Sequence, residues 1–233
     1  MTRTIFTDVS EMESRLKLPV GFYDKLLEED DWSFVIKLSS LFEGACTQVL
    51  SAHANCPALN DALSRMTMRG SKIGTLVKLN SLTPDQAKVL DAIAVLRNSL
   101  VHSISNVTFS FNDYFARMSA KQAKAQVMLF GHGLKELQPV GDRLIPRAEF
   151  VRMNPKLSIW LTSAEILACI HLGIRDAELR LNSEALDRYS KLSHDFPSNL
   201  GLGQADAGTG AGRGGLLGFV ADAGRDPVAG RSV

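Results

Sequence analysis

The sequence predicts an all-α fold, a bundle of about six to eight helices over residues 1–196. Apolar residues recur at spacings of three and four along several long stretches, which is the pattern of amphipathic helices. Thr-Pro and Asn-Pro pairs stand where two of these stretches begin, as they do at helix N-termini. The chain has 233 residues, of which 45% are hydrophobic, so it is long enough to bury a sizeable core.

The first long helix is predicted over residues 32–54, with Asp30 or Asp31 as its N-cap. The apolar face of this helix is formed by Phe34, Leu38, Leu41, Ala45, Val49 and Ala52. The 31 residues before it are acidic overall, and we interpret them as the lead-in to this helix. Two shorter helices are predicted next, over residues 57–66 and 72–80.

The clearest boundary in the chain lies at Thr83. This residue stands at an N-cap, Pro84 follows at the first helical position, and Gln86 is placed where a capping box needs it. The apolar residues that follow at helical spacing are Val89, Ile93, Leu96 and Leu100. A helix is therefore predicted from Pro84 to about His102.

The pattern changes after residue 102. Val107, Phe109 and Phe111 alternate with polar residues, which fits either a short strand or an extended loop. Residues 119–137 are predicted as a helix and residues 138–153 as a loop with short turns. A long helix is predicted after the Asn154-Pro155 pair.

Composition shifts sharply at Pro197. The stretch 197–233 holds more than half of the 18 glycines and almost no aromatic residue except Phe219. Such a segment buries too little apolar surface to offset its chain entropy, so we predict a disordered Gly-rich tail. A phosphate-binding loop would need a strand before the glycines and a helix after them, with Lys-Ser or Lys-Thr, and the tail has neither.

Composition excludes several classes of protein. The formal charge is +1, which argues against a protein built to bind polyanions, although a local basic patch stays open. Three scattered cysteines are too few for a disulfide framework or a Cys-x-x-Cys metal site, and no metal or other cofactor is predicted. We find neither a signal-peptide core nor an uninterrupted membrane-length apolar run, so we predict no membrane association and a cytoplasmic location.

Arg97, Asn98 and His102 form the most distinctive polar group, at the end of the predicted 84–102 helix. At about 100° per residue, Arg97 and His102 lie roughly 140° apart around a regular helix and cannot share a face. Either His102 lies where the helix ends and turns, or its partner comes from another element or another subunit. Asn98 is one turn before His102, so those two side chains can meet.

These residue types suit the cleavage of RNA without a metal. An imidazole can move the proton of a ribose 2′-hydroxyl while that oxygen attacks its own phosphodiester, and a guanidinium can stabilise the charge that grows on the phosphorane. The need for a 2′-hydroxyl restricts the substrate to RNA. The structural alternative is that Arg97 forms an ion pair and His102 caps the helix C-terminus.

The hexapeptide Arg97-Asn98-Ser99-Leu100-Val101-His102 resembles the Arg-x4–6-His motif of the HEPN superfamily, in which a polar residue often follows the arginine. Residues 33–103, with the segment Ile73-Gly74-Thr75-Leu76-Val77-Lys78-Leu79, are also similar to the mannitol-repressor (MtlR-like) family, which shares the HEPN-type bundle. The resemblance implies a small helical bundle that usually dimerises, with the two motifs meeting at the dimer cleft. Many HEPN domains are metal-independent endoribonucleases of toxin–antitoxin, phage-defence and RNA-processing systems, and others are binding modules.

The resemblance therefore implies a homodimeric, metal-independent endoribonuclease, or a degenerate relative, in bacterial defence or stress regulation. His102 would act as the general acid and base, Arg97 would stabilise the phosphorane, and Asn98 would position one of them. RNA and an antitoxin or regulatory protein would be the partners. The alternative is a non-catalytic regulator like the mannitol repressor, which would act through protein contacts.

Four further residues are candidates for supporting roles. Glu43 lies beside the apolar stripe of its helix, where it could orient His102 or pair with Arg97, or simply face solvent. Residues 117–156 have a local excess of basic side chains, which would attract an RNA backbone if they do not merely form a solvated face. The residues of this stretch that we select as RNA contacts are Arg117, Lys121 and Lys124.

Overall fold

The computed structural model describes the backbone of residues 4–199, and this part of the chain is mainly helical. Its α-helices are α1 (Ile5–Arg15), α2 (Phe22–Lys25), α3 (Asp31–Ala54), α4 (Asn60–Ser64), α5 (Ile73–Lys78), α6 (Pro84–Val101), α7 (Phe111–Ala116), α8 (Ala120–Phe130), α9 (Arg147–Met153) and α10 (Pro155–Asn199). Its strands are β1 (Leu137–Val140) and β2 (Arg143–Pro146), which form one antiparallel hairpin. The predicted all-α class is confirmed.

Helices α3, α6 and α10 supply most of the core. Every predicted apolar-face residue of α6 is buried, and so is every predicted one of α3 except Ala52, which is half-buried. The core residues of α10 include Ile159, Ile166, Leu167, Ile170 and Ile174. The three cysteines are free, and burial raises the pKa of the Cys46 thiol to about 12, which makes it an unreactive part of the core.

Two of the predicted N-caps, those of α3 and α6, form side-chain hydrogen bonds. Thr83 and Gln86 make a reciprocal capping box, with the Gln86 N–H donating to the Thr83 hydroxyl at 3.2 Å. Of the two candidates at the start of α3, Asp30 is the N-cap, because its carboxylate accepts from the Ser33 N–H at 2.9 Å. Helix α6, which holds the Arg97–His102 group, is thus fixed at its first turn by its own sequence.

We expect the substitution Asp30→Ala to lower the free energy of unfolding by about 1 kcal/mol at neutral pH. Hydrogen bonds from the hydroxyl and the backbone N–H of Ser33 lower the pKa of the Asp30 carboxyl. A lowered native pKa stabilises the fold above the unfolded-state pKa, and this contribution is lost as the pH falls through the native value. Urea unfolding of both proteins from about pH 7 down to about pH 3 should show the difference shrink towards zero. A difference that grows on acidification would contradict this account of the cap.

The segment after α6 differs from the predicted strand or extended loop. Residues Ile104–Thr108 form a 3₁₀ turn, and α7 begins at Phe111 with Ser110 as its N-cap. Phe109 lies between the 3₁₀ turn and α7, and Phe111 is the first residue of α7, so neither belongs to a strand. Their rings contact each other edge to face, with centroids 5.2 Å apart. Both rings belong to an aromatic cluster that fills the space between α3, α7 and α8.

The predicted 119–137 helix and 138–153 loop also need correction. Helix α8 ends at Phe130, because Gly131 and Gly133 follow it and Gly133 has a left-handed φ of 76°. The β1–β2 hairpin turns at Gly141, where φ is 57°, and α9 occupies the rest of the predicted loop. A Gly-Asp pair between two short apolar runs is a hairpin signal that the helical periodicity obscured.

The acidic N-terminal stretch is more than a lead-in. Helix α1 has its own capping box at Thr4, and Arg15 at its end forms a two-bond ion pair with Glu178 of α10, at 2.8 and 2.9 Å. Tyr23 of α2 is buried against Trp160 of α10, with ring centroids 5.1 Å apart. The N-terminal helices therefore pack on α10 as part of the fold.

Helix α10 continues through the predicted domain boundary. It reaches Asn199, two residues past the composition shift at Pro197, and the rest of the predicted tail lies outside the described residues. The chain divides into a first unit, Met1–Arg188, and a second, Tyr189–Val233. By length and composition the stretch Pro155–Leu192 could cross a membrane, but 67% of its most apolar window is buried, as in the core helix of a globular domain.

Candidate active site

The last two turns of α6 place Arg97, Asn98 and His102. Arg97 is half-buried, and its guanidinium donates to the Asn98 side-chain oxygen at 3.1 Å. Asn98 and His102 are exposed, and His102 is the residue at which the helix ends. The helix ends where the sequence predicts. Asn98 and His102, which the sequence suggested could meet, are not hydrogen-bonded, and among the described residues the Asn98 side chain bonds to Arg97 instead.

Arg97 and Asn98 line a surface groove of about 420 Å³ between α3 and α6. The other lining residues are Ser39, Glu43, Thr67, Met68, Arg69 and Ala94. The groove is lined by two arginines, of which one forms an ion pair and the other does not. Arg69 donates to both oxygens of Asp91, at 2.6 and 3.3 Å, whereas Arg97 forms no ion pair with any side chain that the structure describes.

His102 does not line this groove. The helix geometry that places Arg97 and His102 roughly 140° apart is realised, because α6 stays helical through Val101. One chain therefore keeps the two side chains on different sides of α6, with Asn98 between them. An active site that uses both residue types together therefore needs a second copy of the chain.

The carbonyl groups at the end of α6 are capped by Asn106 rather than by His102. The Asn106 amide donates to the Ser99 oxygen at 2.9 Å and to the Leu100 oxygen at 3.3 Å. Among the described residues, the His102 ring has no hydrogen-bond or ion-pair partner. The structural role that the sequence leaves open for His102 is thus filled by another side chain.

Two other histidines show what a structural histidine looks like in this fold. The His53 ring bonds to the Ser81 hydroxyl at 3.0 Å and to Arg180 at 3.4 Å, and burial followed by the Arg180 charge lowers its pKa. His171 is buried and bonds to Glu11 at 2.8 Å. Each of these rings links two helices, which the His102 ring does not.

His171 also belongs to a cluster that sequence spacing did not suggest. One side-chain atom each of Asp8, Glu11 and His171 lies within 4.8 Å of the others, close enough to hold a cation. Glu11 already bonds to His171 and lies 3.7 Å from Arg175, so ion pairing between α1 and α10 accounts for the arrangement. We assign this cluster a structural role.

Glu43 shares the groove with Arg97, but its carboxylate pairs with Lys72. The Lys72 ammonium group lies 3.5 Å from a Glu43 oxygen, and the Lys72 side chain is fully buried while that of Glu43 is 47% exposed. No hydrogen bond joins Glu43 to Arg97 or His102 within the described region. The sequence contained a signal for this pair, because Lys72, the residue just before α5, falls one helical turn before the buried Leu76.

We expect Glu43→Gln to lower the free energy of unfolding by about 1–3 kcal/mol, because it leaves the buried Lys72 ammonium without a carboxylate. Urea unfolding measures this difference. Glu29→Gln is the matched control, since Glu29 pairs with the more exposed Lys37, and we expect a loss of at most about 1 kcal/mol. Unchanged stability together with lost RNA cleavage would instead assign Glu43 to the chemistry.

Some basic side chains of the stretch 117–156 form ion pairs with carboxylates, and others form none with a described residue. Arg147 pairs with Glu136 at 2.8 Å, and Lys156 pairs with Asp31 at 3.0 Å. The three selected RNA contacts, Arg117, Lys121 and Lys124, are all exposed and form no ion pair with a described residue.

Lys121 and Lys124 lie three residues apart on α8 and project from the same side of the helix. Arg117 instead lines a second cavity, beside the turn that follows His102. The predicted RNA contacts therefore offer free positive charge at two places.

Comparison with known proteins gives no match to a family model, to a curated protein or to a solved structure. The HEPN-like resemblance therefore depends on the Arg97–His102 motif and on its place at the end of a capped helix.

Proposed function

We propose that this protein is a metal-independent endoribonuclease that resembles HEPN nucleases and works as a homodimer. The observation that carries the proposal concerns two side chains that lie roughly 140° apart on α6, at about 100° per residue. Among the described residues, Arg97 has no ion-pair partner and bonds only to the neutral Asn98, and the His102 ring has neither a hydrogen-bond nor an ion-pair partner. A buried or packed charged group normally pairs with another, and a terminal histidine normally bonds to its helix. Neither is so here, which supports a role for both side chains towards a ligand.

The reaction follows from the chemistry of the two groups. The His102 imidazole takes the proton of a ribose 2′-hydroxyl, and the 2′-oxygen attacks the adjacent phosphorus. The bond from phosphorus to the 5′-oxygen breaks, and the His102 imidazolium gives the proton that it accepted to this oxygen as it leaves. Arg97 donates hydrogen bonds to the phosphorane oxygens while their negative charge grows. The products are a 2′,3′-cyclic phosphate and a 5′-hydroxyl.

Apolar residues around His102 support the dimer. Val95 on the same exposed face of α6 is 43% exposed, Val101 is 40% exposed, and Ile104 just after the helix is 86% exposed. A second copy that covers these side chains would bury their apolar surface. It would also bring its own α6 to the first, so that Arg97 of one chain could approach His102 of the other. Asn98, hydrogen-bonded to Arg97, would hold the guanidinium in position.

The proposal is tested by incubating labelled single-stranded RNA with the full-length protein in EDTA and analysing the product ends. We expect cleavage that resists EDTA and leaves cyclic phosphates, and no cleavage of DNA of the same sequence. Intact RNA after incubation with folded, dimeric protein would contradict the proposal and favour the regulator that acts through protein contacts.

A further inference from the structure

A second cavity, of about 270 Å³, opens beside the turn that follows His102. It lies between the 3₁₀ turn Ile104–Thr108, α7 and the start of α8, and we call it the 105–122 pocket. The side chains that matter for its chemistry are Asn106, Phe109, Asp113, Tyr114, Arg117 and Gln122. Its volume is below the usual range for drug-sized ligands, so it suits a small planar group.

The 105–122 pocket is tied to the end of α6 in two ways. Ser105 on its wall is three residues after His102, so their Cα atoms are at most about 11 Å apart. Asn106, also on its wall, is hydrogen-bonded to the last turn of α6 through the Ser99 and Leu100 carbonyl oxygens. A ligand in the pocket would therefore lie next to a phosphate held at His102.

One side of the 105–122 pocket is aromatic. The rings of Phe109 and Tyr114 contact edge to face, with centroids 5.8 Å apart at 61°, and Phe115 supports Tyr114 from behind at 5.9 Å. Phe109 and Tyr114 are only partly buried. Proteins that bind single-stranded nucleic acids stack the bases on the faces of aromatic side chains. The packing around Tyr114 holds such a ring in place.

Two polar side chains of the pocket have hydrogen-bonding groups that are not used within the protein, one an acceptor and the other a donor. The Asn106 amide nitrogen is engaged by α6, which leaves its oxygen as an acceptor. The Gln122 oxygen accepts from the Ser119 N–H and hydroxyl, which leaves its amide nitrogen as a donor. A neighbouring acceptor and donor match the mixed donor and acceptor pattern at the edge of a nucleobase.

Arg117 completes the set at the rim of the pocket. It is exposed and forms no ion pair with any described residue, although Asp113 lies four residues earlier along the chain. A guanidinium free of a carboxylate is available for a phosphate. The pocket thus offers an aromatic face, an acceptor, a donor and a phosphate contact within one cavity.

We infer that the 105–122 pocket binds the base of the nucleotide that flanks the cleaved bond in single-stranded RNA, and so gives the enzyme a base preference. This inference rests on the proposed function, because it takes RNA held at His102 as the ligand. Tyr114 stacks on the base, Gln122 and Asn106 read its edge, and Arg117 contacts the adjoining phosphate.

The test uses binding rather than cleavage. The probes are fluorescent 2′-O-methyl hexanucleotides of A, C or U, which lack the attacking hydroxyl and cannot be cut. We expect the wild-type protein to bind at least one of them about tenfold more tightly than another. Tyr114→Leu should lose about tenfold in affinity for the preferred probe, whereas Tyr114→Phe, which keeps the ring, should stay within about threefold.

Two surface variants keep the test independent of any effect of Tyr114 on folding. Gln122→Glu keeps the Ser119 capping box but replaces the amide donor by an acceptor, so the order of preference among the probes should change. Arg117→Gln should weaken all three probes by a similar factor, and more than Lys135→Gln, a control at an exposed lysine outside the pocket.

The outcomes separate the pocket from the nuclease. Tyr114→Leu and Gln122→Glu proteins that bind all probes with wild-type affinities and order would overturn the inference, even if the wild-type protein cuts RNA. The inference is supported if the wild-type protein shows a base preference and both Tyr114→Leu and Gln122→Glu change it. This holds even if no cleavage is found, and in that case only the proposed nuclease activity is contradicted.

Discussion

His102→Ala is expected to reduce the rate of RNA cleavage in EDTA by about 10²- to 10⁴-fold, the usual contribution of a general acid or base. The reason lies in the surroundings of the ring: it is exposed at the end of α6, and Asn106 already caps the helix carbonyls there. The same substitution should therefore leave the free energy of unfolding within about 0.5 kcal/mol of wild type. Initial rates on a labelled RNA and urea unfolding of the same preparation measure both effects.

Arg97→Ala should lose about 10²- to 10³-fold in rate, the effect of removing one donor to a developing oxyanion. The cleavage rate of Arg97→Lys should lie between those of the wild type and Arg97→Ala, because an ammonium group keeps the positive charge but not the planar, forked donor geometry of the guanidinium. Arg69→Ala is the matched control, since Arg69 lines the same groove but is held by Asp91. Equal rate losses in Arg97→Ala and Arg69→Ala would mean that the groove contributes only general positive charge.

Phe111→Ala is expected to lower the free energy of unfolding by about 3–5 kcal/mol. Phe111 is 2% exposed, and its ring contacts Phe34 of α3, Phe109 and Phe130 of α8. Its removal would leave a cavity where three elements meet. Urea unfolding followed by helical circular dichroism measures the loss.

Phe111→Leu is the control, because it keeps most of the apolar volume and should cost about 1.5 kcal/mol. A loss below about 1 kcal/mol for the alanine variant would mean that the aromatic cluster does not hold α7 and α8 against α3. The aromatic side of the 105–122 pocket, which includes Phe109, would then not be held in position by this cluster.

The starts of long periodic segments with caps could be predicted from the sequence nearly to the residue. Helices α3 and α6 begin within one residue of their predicted starts, because Asp30 and Thr83 supply local hydrogen bonds that any chain with these residues can form. Their apolar faces were also predictable, since a 3.6-residue repeat fixes which side chains face the core.

Short elements could not be predicted in the same way. Helix α7 has six residues, too few for a helical period to emerge, and its phenylalanines instead suggested alternation. Their burial is decided by partners distant in the sequence, such as Phe34. Helix α1 was missed because its buried face includes Asp8 and Glu13, charged residues that a hydrophobic pattern does not count.

The candidate site was predictable only in part for the same reason. The residues from Arg97 to His102 are local, so their order and their angular separation follow from the helix alone. The pairing of Glu43 with Lys72, the capping of α6 by Asn106 and the 105–122 pocket all depend on how separate segments meet. No spacing rule within one segment indicates those contacts.

The most direct test of the account mixes two inactive proteins. If Arg97 of one chain acts with His102 of its partner in a symmetric dimer, a heterodimer of Arg97→Ala and His102→Ala chains has one site with both substitutions and one intact site. When equal amounts of the two variants are mixed and their subunits exchange, half of the dimers contain one chain of each variant. Each mixed dimer has one working site of two, so the mixture should regain about one quarter of the wild-type cleavage rate. A mixture no more active than either variant alone, with exchange confirmed, would contradict the account.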